Sequence, residues 1–166
     1  MPAGLKLSVT HLFNATERPE VEASRQIRAF RESDRSDVIA LWDRVFAEDP
    51  PWNAPADVID RKLTVQPHLF FVCEREQRVV ATLLAGYDGF RGWVHHVAVA
   101  PESQRQGVAT NLMRAAEAGL AELGCPKLNL QIRATNAAAV KFYESVGYSA
   151  EERVSMGKRL GHWADV

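Results

Sequence analysis

Apolar and polar positions change period several times along the chain, and each change marks an element. Residues 69–73 (Leu-Phe-Phe-Val-Cys) and 79–84 (Val-Val-Ala-Thr-Leu-Leu) are dense apolar runs of strand length. The polar link 74–78 between them reads as a hairpin. A third strand is predicted over 94–99, with Val94, Val97, Ala98 and Val99, and Pro101 ends it because proline has no N–H for a ladder. From Ala109 the apolar residues fall at Ala109, Leu112, Met113, Ala116, Leu120 and Leu123. Steps of three and four mark one buried helix face. Gly124 then follows as a helix-terminating glycine.

The remaining elements are read the same way. Ile27-Arg28-Ala29-Phe30 predicts a first strand, after which Ser33 or Asp34 caps a helix with Val38, Leu41, Trp42 and Val45 inward. Asp49-Pro50-Pro51 ends it, and Trp52 and Asn53 fall on a loop before a second helix with Ile59 and Leu63 inward. Residues 86–92 form a glycine-bearing turn, and 127–132 alternate as a strand. Asn136 opens a last helix carrying Ala139, Val140 and Tyr143, closed by Gly147, and final strands are expected at Tyr148 and over 154–160. The order β-α-α-β-β-β-α-β-α-β predicts an α/β protein of the mixed (α+β) kind, with helices on both faces of a mixed sheet. One right-handed crossover joins the strand ending near Val99 to the one starting near Lys127. Residues 1–25 show no clear period and read as a loosely attached extension, with a docked strand over 5–13 as the alternative; 26–166 read as a single domain.

Composition narrows the class. The chain has 166 residues, 46% of them apolar, and a formal net charge of −1. That balance points to neither nucleic acid nor an anionic membrane as partner. No apolar run has the length of a membrane span, and no secretory leader pattern opens the sequence, so the cytoplasm is the expected compartment. Cys73 and Cys125 lack metal or redox spacing and read as reduced, small apolar residues. No metal is expected.

The chemistry concentrates where the 94–99 strand meets the long helix. Gln104-Arg105-Gln106-Gly107-Val108-Ala109 forms a polar, glycine-bearing turn at a helix start. Such a turn gathers unpaired N–H groups at the positive end of the helix dipole, which suits a phosphate. The competing reading is that Gly107 merely eases a tight connection. Neither a GxGxxG nor a GxxxxGK[ST] pattern is present.

Two separated motifs give the chain a resemblance to the GNAT superfamily of acyl-CoA-dependent N-acetyltransferases. Gln104-x-x-Gly107-x-Ala109 resembles the family's pyrophosphate loop, [QR]xxGx[GA]. Asn136-x-x-Ala139-x-x-x-Tyr143-x-x-x-Gly147-Tyr148 resembles its C-terminal signature. The PWNxP stretch and the GYDGxRG turn resemble the YpeA-type bacterial acetyltransferases within it. The resemblance covers roughly residues 27 to 160 and implies a mostly antiparallel sheet splayed between the 94–99 and 128–132 strands. Acetyl-CoA, as cosubstrate, would enter that opening. By the resemblance, Val97 and Val99 (flanking Ala98) pair with the pantetheine amides. The N–H groups of Arg105, Gln106, Gly107, Val108, Ala109 and Thr110 hold the diphosphate beside Gln104, and Asn136 and Ala139 also meet the cofactor. Asn136 has a second reading as a helix cap. Homodimers are common in the superfamily, and no stretch here identifies an interface.

Tyr143 is the expected general acid, by likeness to a family tyrosine near the CoA sulfur; its alternative is helix-face packing beside Val140 and Val146. Some protein N-terminal acetyltransferases of the superfamily carry a glutamate where this chain has Gln131, which cannot take a proton. Asp88, His95, His96 and Glu102 are the remaining base candidates. Adjacent His95 and His96 face opposite sides of a strand unless a bulge intervenes. Trp52, Asn53, Tyr87, Asp88 and Gln131 are expected to meet substrate. A lysine amine of pKa about 10.4 is only about one part in a thousand neutral near pH 7.4, whereas an α-amine is roughly a quarter to a third neutral. An α-amine or a small-molecule amine is therefore the easier acceptor. Two functions stand: acetyl transfer to a primary amine, and a non-catalytic acyl-CoA-binding module of the same fold.

Overall fold

The computed structural model describes residues 25–161. Apart from Arg25, the expected N-terminal extension, and with it the alternative strand over 5–13, lies outside the described residues. Among the described residues there are five strands: β1 (Gln26–Ala29), β2 (Phe70–Arg75), β3 (Arg78–Tyr87), β4 (Gly92–Val99) and β5 (Leu128–Leu130). Helices α1 (Arg35–Val45) and α2 (Pro55–Leu63) follow β1, α3 (Val108–Glu122) follows β4, and α4 (Ala137–Ser145) follows β5. The sheet order is β1-β2-β3-β4-β5. Its first three pairings are antiparallel and β4–β5 is parallel, the crossover running through α3.

Alternation along the strands divides the core in two. On one face Val38, Leu41 and Trp42 of α1 and Ile59 of α2 pack on Phe70, Val72, Leu84 and Ala98. On the other, Leu112, Met113, Ala116 and Leu120 of α3 pack on Leu69, Cys73, Ala81, Leu83 and Val94. Each Val, Leu, Ile, Phe or Met side chain among them, taken fully out of water, contributes about 1.5–3 kcal/mol. Close approach at the β4–β5 end favours a glycine. A Cβ on Gly92 would lie 2.9 Å from Cys125 Sγ and 3.0 Å from Leu120 Cδ1.

Three expectations change. Asp34 does not bond the first turn of α1; it sits in a 3-10 turn (Glu32–Asp34) and accepts from the Arg31 N–H at 2.8 Å. Its carboxylate is taken by Arg28 at 2.7 Å, in a pair whose side chains are 11% and 7% exposed, and Glu74 completes the cluster. The 127–132 strand is shorter than predicted: only Leu128–Leu130 pair with β4, and Gln131 and Ile132 leave the ladder. No strand forms at Tyr148 or over 154–160 among the described residues. Gly147 turns the chain at φ 96°, and the following segment reaches the residues flanking β5 through the side-chain contacts Lys127–Glu151 and Gln131–Ser155. Val154, Met156 and Leu160 stay 89%, 91% and 74% exposed, with no apolar surface to alternate against.

Candidate functional site: a splayed cleft with two histidines in its wall

β4 and β5 share only the pairs Gly92–Leu128, Trp93–Asn129 and Val94–Leu130, and then diverge. The Ala100 N–H bonds to Val80 O on β3, at 2.8 Å. By strand alternation the N–H groups of Val99 and Val97 point to the opposite edge, toward the gap. Gln104 donates from Nε2 to Val99 O at 3.2 Å, covering one carbonyl of that edge.

A β-bulge shapes the wall of the gap. Thr82 pairs with Ala98 and Leu84 with His95, so Leu83 alone faces both His96 and Val97. His96 takes the extra position at φ 49°. Its carbonyl accepts from Thr82 Oγ1 at 3.2 Å, and that buried hydroxyl accepts from Trp42 Nε1 at 2.7 Å. The bulge turns both imidazoles toward the α1 and α2 side instead of splitting them between faces. His96 meets Trp42 at a tilt and Phe46 edge-on, with centroids 4.8 and 5.2 Å away, and His95 lies parallel to Trp93 at 6.4 Å.

A cavity of about 560 Å³ opens where the strands part. It is lined on one side by Val94, His95, His96 and Val97, and on the other by Leu130, Gln131, Asn136, Ala139 and Tyr143. Phe46, Glu48 and Asp49, after α1, form the floor together with Arg133. Arg133 donates to Asp49 at 2.5 Å, joining the loop after α1 to the loop after β5 across the opening. A second cavity of about 250 Å³, lined by Trp42, Asp43, Pro50, Pro51, Asn53 and Pro55, shares Phe46, Ala47, Asp49 and His96 with the first.

Protonation states follow from these surroundings. Burial holds His96 below the ordinary histidine value, His95 and Arg61 lower it further, and Asp49 pulls the other way. Partial burial and the Lys62 charge lower His95 too. Lys62 itself, held by the carbonyls of Val65 and Ala85, is pushed down to about 8 by burial. Burial raises Tyr143, so its phenol stays protonated at neutral pH.

The polar turn ahead of α3 has Arg105 at φ 58° and Gly107 at φ 77°, both left-handed. Nothing lies within 4 Å of a Cβ built on Gly107, so it is the backbone angle that calls for glycine. The first intrahelical bond runs from Asn111 N to Gly107 O, which leaves the N–H groups of Val108, Ala109 and Thr110 ahead of the helix ladder. The unpaired β4 edge and this turn, at one end of the gap, fit an extended thioester carrying a diphosphate.

Several sequence candidates lie elsewhere. Asp88 accepts from the Phe90 and Arg91 N–H groups at 2.7 Å each, closing the β3–β4 hairpin, and neither it nor Tyr87 lines the cavity. Glu102 is paired with Arg44. Asn136 caps α4, its Oδ1 accepting from Ala139 N at 3.0 Å, while also lining the cavity. Trp52 lies under the Arg159 guanidinium, 4.5 Å from its ring centroid. Gln131 lines the cavity but donates to Ser155 Oγ at 2.6 Å. Sequence reasoning missed Phe46, Glu48, Asp49 and Arg133; the only signal was that Asp49 directly precedes the Pro-Pro-Trp-Asn stretch. Among the described residues no group of His, Cys, Asp or Glu is disposed to hold a metal ion, and no helix is long and apolar enough to cross a membrane.

Residues 27–148 match the Acetyltransferase (GNAT) family. The chain is 38% identical over 135 residues to acetyltransferase YE1169 of Yersinia enterocolitica, covering 81% of this chain and 95% of that protein. It is 40% identical to acetyltransferase SG1711 of Sodalis glossinidius, with the same two shares. Among solved structures, AAC(6')-Iy in complex with the bisubstrate analogue CoA-S-monomethyl-acetylneamine superposes with a TM-score of 0.69 at 17% identity, covering 83% of this chain and 99% of that one. The ribosomal-protein-S18-alanine N-acetyltransferase of Escherichia coli gives 0.62 at 25% identity, covering 75% and 77%. The chain belongs to the GNAT family and is an N-acetyltransferase.

Proposed function

We propose that this enzyme transfers the acetyl group of acetyl-CoA directly to a primary amine, either a small molecule or a protein α-amine, and works in the cytoplasm. The observation that carries the reading is the convergence of Tyr143, His95 and His96 on one cavity at the point where β4 and β5 separate. The two cysteines are free, which suits a reducing compartment.

The bound thioester supplies an activated acetyl group and a thiolate leaving group. Val99 offers its edge N–H, and Val97 its C=O, to its amide-bearing arm. The turn over 104–110 offers N–H groups to its diphosphate. The Val97 N–H lies on the gap side and is the donor for the carbonyl oxygen as charge builds on it. His96, neutral at physiological pH and backed by Trp42 and Phe46, accepts the proton of the incoming ammonium, with His95 beside it. Tyr143 keeps its proton and gives it to the departing sulfur, and the second proton shed by the acylated nitrogen restores the phenol. The smaller cavity beyond His96 receives the body of the acceptor, with Asn53 and Asp49 at its rim.

Steady-state assays of wild type and Tyr143→Phe against an amine panel test this. Tyr143→Phe should lower kcat about a hundredfold while acetyl-CoA still binds. Wild-type cofactor binding with no amine-dependent thiol release would leave a binding module instead. Fast turnover of simple lysine peptides, without comparable rates on α-amines, would overturn the choice of acceptor.

A further inference from the structure

Arg25 stands immediately before β1 and outside the segment that matches the family, yet it reaches the turn ahead of α3. Its guanidinium donates to the backbone oxygen of Gln106 at 2.9 Å and also to Gln106 Oε1. Gln106 in turn donates from Nε2 to Glu102 O at 3.0 Å, and the Glu102 carboxylate accepts from Arg44 of α1 at 2.9 Å. The gripped residue lies between the two left-handed positions, Arg105 and Gly107. Arg105 in particular holds a conformation that a residue with a Cβ disfavours, so the turn needs outside support.

The direction of the grip matters. A trans peptide is planar, so the Gln106 carbonyl and the Gly107 N–H point opposite ways. Holding the carbonyl toward Arg25 therefore aims the Gly107 N–H away from Arg25. The sheet order puts β1 at one edge, with the β4–β5 gap toward the opposite edge strand, β5. A planar guanidinium can hold both Gln106 oxygens at once, which a single ammonium cannot do with the same geometry.

We propose that Arg25 is a positioning residue for the diphosphate turn: by holding both oxygens of Gln106 it fixes the Gly107 N–H and so strengthens binding of the nucleotide end of the acyl donor. This rests on the acetyl-CoA reading given above. Arg25 acts through Gln106 and is not a catalytic residue.

Arg25→Ala and Arg25→Lys, compared with wild type, test it. The readouts are steady-state kinetics with acetyl-CoA, 3′-dephospho-acetyl-CoA and acetyl-pantetheine, together with calorimetric binding of CoA and thermal melting. Arg25→Ala should raise the acetyl-CoA KM and the CoA Kd about five- to tenfold, with kcat within about twofold. The same increase is expected with the dephospho donor and none with acetyl-pantetheine, which lacks the diphosphate. Arg25→Lys should recover less than half of the loss. An unchanged KM, an equal loss with acetyl-pantetheine, or full rescue by lysine would each overturn the inference. A loss that disappears with the dephospho donor would overturn it too, by showing direct contact with the 3′-phosphate. A wild type that neither binds CoA nor turns over would instead sink the acetyl-CoA reading.

Discussion

His96 is held at φ 49°, a conformation that costs a residue with a side chain roughly 1–2 kcal/mol. The tilted and edge-on ring contacts with Trp42 and Phe46 and the Thr82 hydroxyl on its carbonyl offset that cost. The ring is thereby placed where burial keeps it neutral. Its folded pKa lies below the ordinary value, so the unfolded chain binds the extra proton first as pH falls. Its linkage contribution to stability is thus present above about pH 6.5 and lost as pH falls through the depressed folded value. The same titration should appear in catalysis. The kcat/KM profile should lose activity on its acid side through an apparent pKa below about 6.5, and His96→Gln should abolish that limb and lower kcat about a hundredfold. A limb that survives His96→Gln and vanishes in His95→Gln would move the role to its neighbour. Both histidines were visible in the sequence as base candidates, and Tyr143 as the general acid. What a period-two strand pattern cannot carry is an inserted residue, because a bulge appears only once Leu83 on the partner strand is seen to face two positions.

Helices and strands were legible wherever an apolar face was long enough to fix its own period, as along α3 and β3. The predicted terminal strands failed for the opposite reason. Over 151–160 charged residues interrupt the pattern, and Val154 and Met156 alone cannot specify a buried face. The β2–β3 hairpin shows how a short link can depart from its best chemistry. Glu76 and Gln77 both occupy left-handed angles, φ 50° and 61°, where Asn-Gly is the favoured pair. Replacing them by Asn and Gly should stabilise the protein by about 1 kcal/mol and raise Tm by roughly 2–4 °C without changing kcat, measurable by thermal melting. An unchanged or lower Tm would show that the turn is already relaxed by its surroundings.

At the scale of the whole molecule, the sheet is continuous from β1 to β4 and then joined to β5 by three residue pairs. CoA at about a hundred times its Kd should therefore add about 2.7 kcal/mol of stability, roughly 5–10 °C in Tm. The amides of Val97 and Val99 should be the ones whose hydrogen exchange slows most. Equal slowing across β1 and β2 would mean that the donor lies elsewhere. Since the seam ends at Val94 and Leu130, the leaf bearing β5 and α4 lacks the rungs that an extended ligand would provide. Acyl donor is then a missing structural member as well as a reactant: a protein short of it should be cut first by proteases in the stretch after β5, and a well-supplied one should resist.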